Sequence, residues 1–110
     1  MTKFVVEFGQ TGTPPPALDG RLDAPAFHRN HEAIWSAIGG FLGAQQGDLL
    51  ELGSGTGQHA VTFAARLPRL TWWPSDIYPA HLASIEAYRR TAGLANLRAP
   101  QHIDLTASGW

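Results

Sequence analysis

The residues best suited to chemistry fall in one short run, Glu51-Leu52-Gly53-Ser54-Gly55-Thr56-Gly57, with two further acids at Asp76 and Asp104. Glycines at alternate positions permit backbone angles closed to other residues, and they let main-chain N–H groups approach a ligand without an intervening Cβ. A helix starting just beyond them, with Gln58 and His59 at its head, would add free N–H groups and the positive end of its dipole. That is the chemistry of a nucleotide-binding turn. A carboxylate at Asp76, placed at the tip of the next strand, can accept hydrogen bonds from both hydroxyls of a ribose. Asp104, at the end of a third strand, could accept from the exocyclic amine of an adenine, with Ile77 offering an apolar face to the base.

These roles require strands to present the acids and helices to follow them. From Asp23, a plausible N-cap with Pro25 in the first turn, apolar residues at Phe27, Ile34, Ile38, Phe41 and Leu42 recur at helical spacing. The glycines Gly39, Gly40, Gly43 and Gly47 weaken and stop that helix. Asp48–Leu52 reads as a buried strand, Gln58–Leu67 as a second helix ended by Pro68, and Leu70–Trp73 as a second strand running to Asp76. Pro79 to Thr91 is a third helix stopped by Gly93. A third strand lies within Leu97–Leu105, only in its later part, because Pro100 has no ladder donor. Such alternation predicts an α/β layer with a parallel sheet and right-handed crossovers. Residues 1–20 read as a lead-in, with a short strand possible at Phe4–Phe8 and an extended polyproline stretch at Pro14-Pro15-Pro16. Residues 21–110 carry the domain.

The 110 residues allow one domain; with 44% apolar residues a modest core is affordable. Charged residues are only 15%, below the ~25% of an ordinary domain, and the net charge is −1. No basic field for a phosphate backbone results, so nucleic acid is not indicated as a partner. The absence of cysteine removes disulfides, thiolate metal sites and a thiol nucleophile. His28 and His31 have workable ligand spacing but no third ligand, and His31-Glu32 is not followed by the second histidine of a zinc helix, so no metal is expected. The N-terminus breaks its apolar run too early for a secretion signal and no stretch suits a membrane helix, so the expected location is cytoplasmic, away from a membrane. Trp35, Trp72, Trp73 and Trp110 read as core and edge aromatics, with Trp72 and Trp73 on opposite faces of their strand.

Spacing discriminates among cofactors. Dinucleotide sites favour G-x-G-x-x-G, whereas this chain has G-x-G-x-G with Glu51 two residues ahead, and there is no G-K-[ST] of a P-loop. The E-x-G-x-G-x-G pattern followed by Asp76 and Asp104 resembles the first three motifs of class I S-adenosylmethionine-dependent methyltransferases. The wider string Leu52-Gly-Ser-Gly-Thr-Gly-Gln58-His59-Ala60, then Trp73-Pro-Ser-Asp76, then Leu82-Ala-Ser-Ile85, is similar to the methyltransferase-like-26 family, as is His28-Arg29-Asn30 near the first helix. The resemblance spans roughly residues 20–110. It implies a Rossmann-like class I methyltransferase fold, with helices on both faces of a parallel sheet and S-adenosylmethionine as cofactor. By the same resemblance Glu51, Gly53, Gly55 and Gly57 surround the methionine portion, with Ser54 in the same turn. Asp76 binds the ribose, Asp104 the adenine amine, and Arg29 and Asn30 pair with the cofactor carboxylate. Gln58 and His59 face the ligand from the helix start. Catalytic residues and the methyl acceptor are not specified.

A seven-stranded sheet needs ~200 residues, since a strand with its crossover helix takes ~30. The chain therefore reads as the N-terminal, cofactor-binding half of such a domain, with the C-terminal strands missing and no methyl transfer expected from it alone. The strand Asp48–Leu52 would then carry an unpaired edge, open to self-association. Two further functions stand beside this reading: a non-catalytic S-adenosylmethionine-binding or assembly module, and a nicotinamide- or flavin-dependent oxidoreductase. Structural roles are also open for the same residues. The glycines could form a tight turn, Asp76 could cap a helix, Asp104 could end a strand in solvent, and Glu51 could pair with a cation.

Overall fold

The computed structural model describes residues 19–106 in full and the backbone of residues 2–7. Pro14–Pro16 and Trp110 lie outside the described residues. In chain order the elements are β1 (Thr2–Glu7), α1 (Pro25–Gly43), β2 (Gly47–Leu52), α2 (Gln58–Arg66), β3 (Leu70–Trp73), β4 (Ser75–Asp76), α3 (Pro79–Ala92) and β5 (Gln101–His102). The alternation read from the sequence is the alternation observed: a small α/β structure whose strand pairs are all parallel.

Prolines and glycines set most of the boundaries. Pro25 and Pro79 open α1 and α3, where a missing N–H costs nothing and a fixed φ favours the first turn. Gly93, at φ +64°, closes α3. Asp23 does not cap α1, contrary to expectation: Ala24 holds the cap position without a side-chain bond. The Asp23 carboxylate instead takes the Gln58 amide at 2.7 Å and contacts the His28 ring. Those two contacts hold its pKa below the ordinary carboxylate value.

Pro74 divides the second strand into β3 and β4. β3 pairs with β2, while β4 pairs with β5. The run from Asn96 to Ile103 follows both halves: Trp72 N–H donates to Asn96 O (2.7 Å), Arg98 N–H to Trp72 O (2.9 Å), Gln101 N–H to Pro74 O (2.9 Å) and Ile103 N–H to Asp76 O (3.2 Å). Only Gln101–His102 is regular strand within it, as the missing donor of Pro100 implies.

One expectation is corrected. The edge of β2 away from β3 is not open, because β1 pairs along it from Thr2↔Gly47 to Glu7↔Leu52, giving the order β1-β2-β3. The short strand expected at Phe4–Phe8 is thus a strand of the sheet, running Thr2–Glu7, and self-association through that edge of β2 loses its structural basis.

The core gathers Leu42 from α1, Leu49 from β2, Phe63 and Leu67 on and after α2, Leu70 and Trp72 from β3, and Leu97. Trp72 is fully buried, with Phe63 6.2 Å away between ring centroids. Trp73, on the opposite face of the strand, is half-buried; its indole N–H donates to Asp48 Oδ1 at 2.8 Å. Among the described residues, no helix is long and apolar enough to cross a membrane.

Candidate functional site

The loop from Gly53 to Gly57 leaves the carboxyl end of β2 and turns into α2. Gly53, Gly55 and Gly57 all have positive φ (64°, 60° and 91°), the left-handed conformation that glycine adopts without steric cost. Gly57 is tightest. A Cβ there would sit 2.9 Å from Ile85 Cα, so the loop and the backbone of α3 touch at this residue. Hydrogen bonds stitch the loop to β4. Ser54 N–H donates to Ser75 O (2.7 Å), Ser75 N–H donates to Ser54 Oγ (2.9 Å), and Ser75 Oγ donates to Glu51 O (2.5 Å). The Ser54 hydroxyl is thus buried in the joint between the two strand ends.

Asp76 lies at the carboxyl end of β4, as its spacing predicts, and it meets the glycine loop directly. Oδ2 accepts from Gly55 N–H at 2.9 Å, and Oδ1 accepts from Ile77 N–H (2.8 Å) and Tyr78 N–H (3.0 Å). His81 Nδ1, from the first turn of α3, stands 3.2 Å from the same Oδ1. This nitrogen is buried and lacks a hydrogen bond of acceptable angle, so ion-pair distance is its whole relation to the carboxylate. His81 is not among the residues whose type and spacing mark the site in the sequence. The signal available was its place five residues past Asp76, across a proline-started helix turn.

Glu51 shares the inward face of β2 with Leu49, two residues earlier, and both are fully buried. Oε1 accepts from the Trp72 indole N–H at 3.2 Å, whereas Oε2 is buried with no hydrogen-bond partner of acceptable geometry. Burial raises the pKa from 4.5 to about 7. The Ser54 hydroxyl and the Trp72 indole oppose the rise, and the neighbouring Asp76 charge adds to it. At neutral pH this carboxyl is in balance between its two forms.

Other selected residues are placed differently. The Gln58 side chain is buried and committed to the segment ahead of α1: Oε1 accepts from Ala24 N–H (2.7 Å) and Thr56 Oγ1 (2.9 Å), and its amide donates to Asp23. That segment is fastened further by Leu22 N–H to Ser84 Oγ (2.9 Å) and Tyr88 OH to Leu22 O (2.7 Å). Asn30, on α1, meets His59 at the head of α2, with Oδ1 3.2 Å from Nε2. Burial, with a smaller effect from His31, lowers the His59 pKa to about 4, so its ring is neutral at physiological pH. Arg29 is exposed on α1. Asp104 sits two residues past β5, where its carboxylate accepts from Thr106 N–H (2.8 Å) and Thr106 Oγ1 (2.6 Å), which lower its pKa. Since Ile103 N–H donates to Asp76 O, Asp104 and Asp76 share one end of neighbouring strands.

An apolar rim borders this end. Ile77, Tyr78 and Leu105 are 38%, 62% and 44% exposed, beside a carboxylate that is 6% exposed. The arrangement brings a glycine loop, a fixed carboxylate and apolar surface into one region, with the N–H groups of Ser54, Gly55 and Gly57 donated within the protein. It is equipped to hold a polar ligand that has a flat apolar part. No solved structure matches the chain. Over residues 21–110, which hold the loop, both acids and all three helices, the chain belongs to the DUF938 family, described as proteins of unknown function.

Proposed function

We propose that this site binds S-adenosylmethionine and that the chain is the cofactor-binding part of a class I methyltransferase domain with a Rossmann-like sheet. The observation that carries the reading is the bond between Asp76 Oδ2 and Gly55 N–H, which locks the acid of one strand end to the glycine loop of its neighbour. Ligands of open parallel α/β sheets lie beyond the carboxyl ends of the strands, where these groups meet. The residues suit the parts of the cofactor. Asp76 takes a ribose hydroxyl at the acceptor position left open on Oδ2, Ile77 and Tyr78 flank the base, and Asp104 lies within the same strand ends for the exocyclic amine. The loop at Gly53–Gly57 and the orphaned Glu51 Oε2 face the amino-acid portion. When bound, the cofactor supplies an electrophilic sulfonium methyl; the residues present bind and orient rather than exchange protons. A pyrophosphate-bearing dinucleotide suits the loop less well, since G-x-G-x-G leaves it no third glycine at the dinucleotide spacing.

Removing the acid tests this assignment. Asp76→Ala is expected to weaken S-adenosylhomocysteine binding ten- to a hundredfold, the range of one or two hydrogen bonds to a charged acceptor. Asp76→Asn, which keeps one acceptor oxygen, should fall between the two. Titration calorimetry measures the affinities, and far-UV circular dichroism checks that each variant is folded. Unchanged affinity in a folded Asp76→Ala protein would exclude the ribose role.

A further inference from the structure

The glycine loop and the acids form one side of the strand ends; α1 reaches the same place from another. That helix ends at Gly43 and β2 begins at Gly47, a short connection. The C-terminus of α1 therefore lies at the amino ends of the strands, and its first turns lie at the carboxyl ends, beside the head of α2. There Asn30 meets His59, with Oδ1 3.2 Å from Nε2. An amide oxygen can only accept, so Nε2 carries the proton of this contact. Burial keeps the ring neutral, which leaves Nδ1 unprotonated.

The imidazole is itself held in place. It is buried, with the Phe27 ring 4.9 Å away at 71° and the Phe63 ring 5.4 Å away at 41°, between centroids. His31 stacks on Phe27 in turn, 4.4 Å away at 12°. Asn30 is half-buried, and with its oxygen held by His59 its NH2 group is turned the other way. Among the described residues that nitrogen makes no hydrogen bond, so it presents two donors. From this geometry we infer that His59 is a positioning residue of the site: by holding the Asn30 oxygen, it aims the Asn30 amide donors at the carboxylate of the ligand's amino-acid portion.

The inference rests on the proposed function and adds the residue that decides which end of an amide the ligand meets. The two ends of an asparagine amide have nearly the same shape and opposite hydrogen-bonding character. Turned by half a rotation, Asn30 would present its oxygen to the carboxylate and repel it. The His59 N–H makes that rotation unfavourable, because it would then face an NH2 group and lose its acceptor. An NH2 group suits a carboxylate and rejects an ammonium, and the exposed Arg29 beside it adds a positive charge of the same preference. A ligand without the amino-acid portion gains nothing from either residue.

The test is calorimetric titration of the full chain at neutral pH with two ligands, S-adenosylhomocysteine and methylthioadenosine. The second keeps the adenosine and the thioether but lacks the amino-acid portion. Asn30→Ala should bind S-adenosylhomocysteine about tenfold more weakly than wild type, the scale of one hydrogen bond to a charged group, and methylthioadenosine equally well. His59→Phe keeps a ring between Phe27 and Phe63 but loses the donor, and should show the same selective loss. His59→Gln returns an N–H near the Nε2 position and should restore most of the affinity. The double variant Asn30→Ala/His59→Phe should bind no more weakly than Asn30→Ala, because both act through one contact. Equal weakening of both ligands by His59→Phe would overturn the inference, since the ring would then serve the fold alone. Unchanged S-adenosylhomocysteine affinity in Asn30→Ala would overturn it whatever the His59 variants do, and would leave the cofactor reading intact. Failure of the wild type to bind either ligand removes the cofactor reading, and the inference with it.

Discussion

Gly57→Ala is expected to destabilise the protein by about 2–5 kcal/mol, a large share of the 5–15 kcal/mol that holds a typical domain folded. Two costs add. An L-residue at φ +91° is strained by about 1–2 kcal/mol. The new Cβ also falls 2.9 Å from Ile85 Cα and 3.1 Å from Ile85 Cγ1, and relieving an overlap with backbone moves α3 away from the loop at about 1–3 kcal/mol. In a chain of this size such a loss lowers Tm by about 10–20 °C. Gly93→Ala makes the comparison: it has φ +64° but nothing within 4 Å of the added methyl, so only the strain of about 1–2 kcal/mol applies. Thermal unfolding of both variants measures the difference. Equal losses would mean that the contact between loop and helix is not as close as described. Because α3 also carries His81, the same displacement should loosen the Asp76 pair.

The second large effect concerns Glu51 and pH. Its folded-state pKa of about 7 lies above the ordinary value of 4.5. Below about pH 4.5 the folded and unfolded chains both hold the proton, and the group has no effect on stability. From there to about pH 7 the unfolded chain releases a proton that the folded chain keeps. Stability therefore falls as pH rises, by up to about 1.4 kcal/mol per pH unit and on the order of 3 kcal/mol in all. His59 acts oppositely: its lowered pKa of about 4 makes stability fall as pH drops below the ordinary imidazole value of 6.5. The two slopes oppose each other in wild type, so a single pH profile of that protein hides both. Glu51→Gln keeps an acceptor for the Trp72 indole and removes the ionisation. Its stability relative to wild type, from urea denaturation, should increase by about 3 kcal/mol between pH 4.5 and pH 8. A constant difference across that range would contradict the buried, proton-holding state of Glu51.

Much of the frame could be read from residue types. The spacing of Phe27, Ile34, Ile38 and Leu42 marks α1, and Pro68, Pro79 and Gly93 mark the helix limits to within about a residue. Asp76 is legible because an acid soon after a strand of Leu and Trp has few places to go but the strand's end. Pairing across sequence was less legible. Nothing in Thr2–Glu7 says that it lies beside β2, since a six-residue strand suits any edge with matching register. Asp23 illustrates a local rule overruled by a distant partner: its carboxylate would serve as a cap, but Gln58, on another helix, offers an amide. The place of Gln58 directly after the glycines suggests a side chain facing a ligand, yet the same bond turns it toward the chain ahead of α1. His81 is not legible, because one histidine on a helix has no distinguishing neighbours in sequence; only the fold brings it to Asp76.

The central claim is that the glycine loop and Asp76 form an adenosyl site, and calorimetric titration of the purified chain with S-adenosylhomocysteine, with NAD run in parallel, tests it most directly. The expected result is saturable binding of S-adenosylhomocysteine at one site per chain, weakened by Asp76→Ala, with no binding of NAD. Binding of NAD in preference, or of neither ligand by the folded protein, would contradict it.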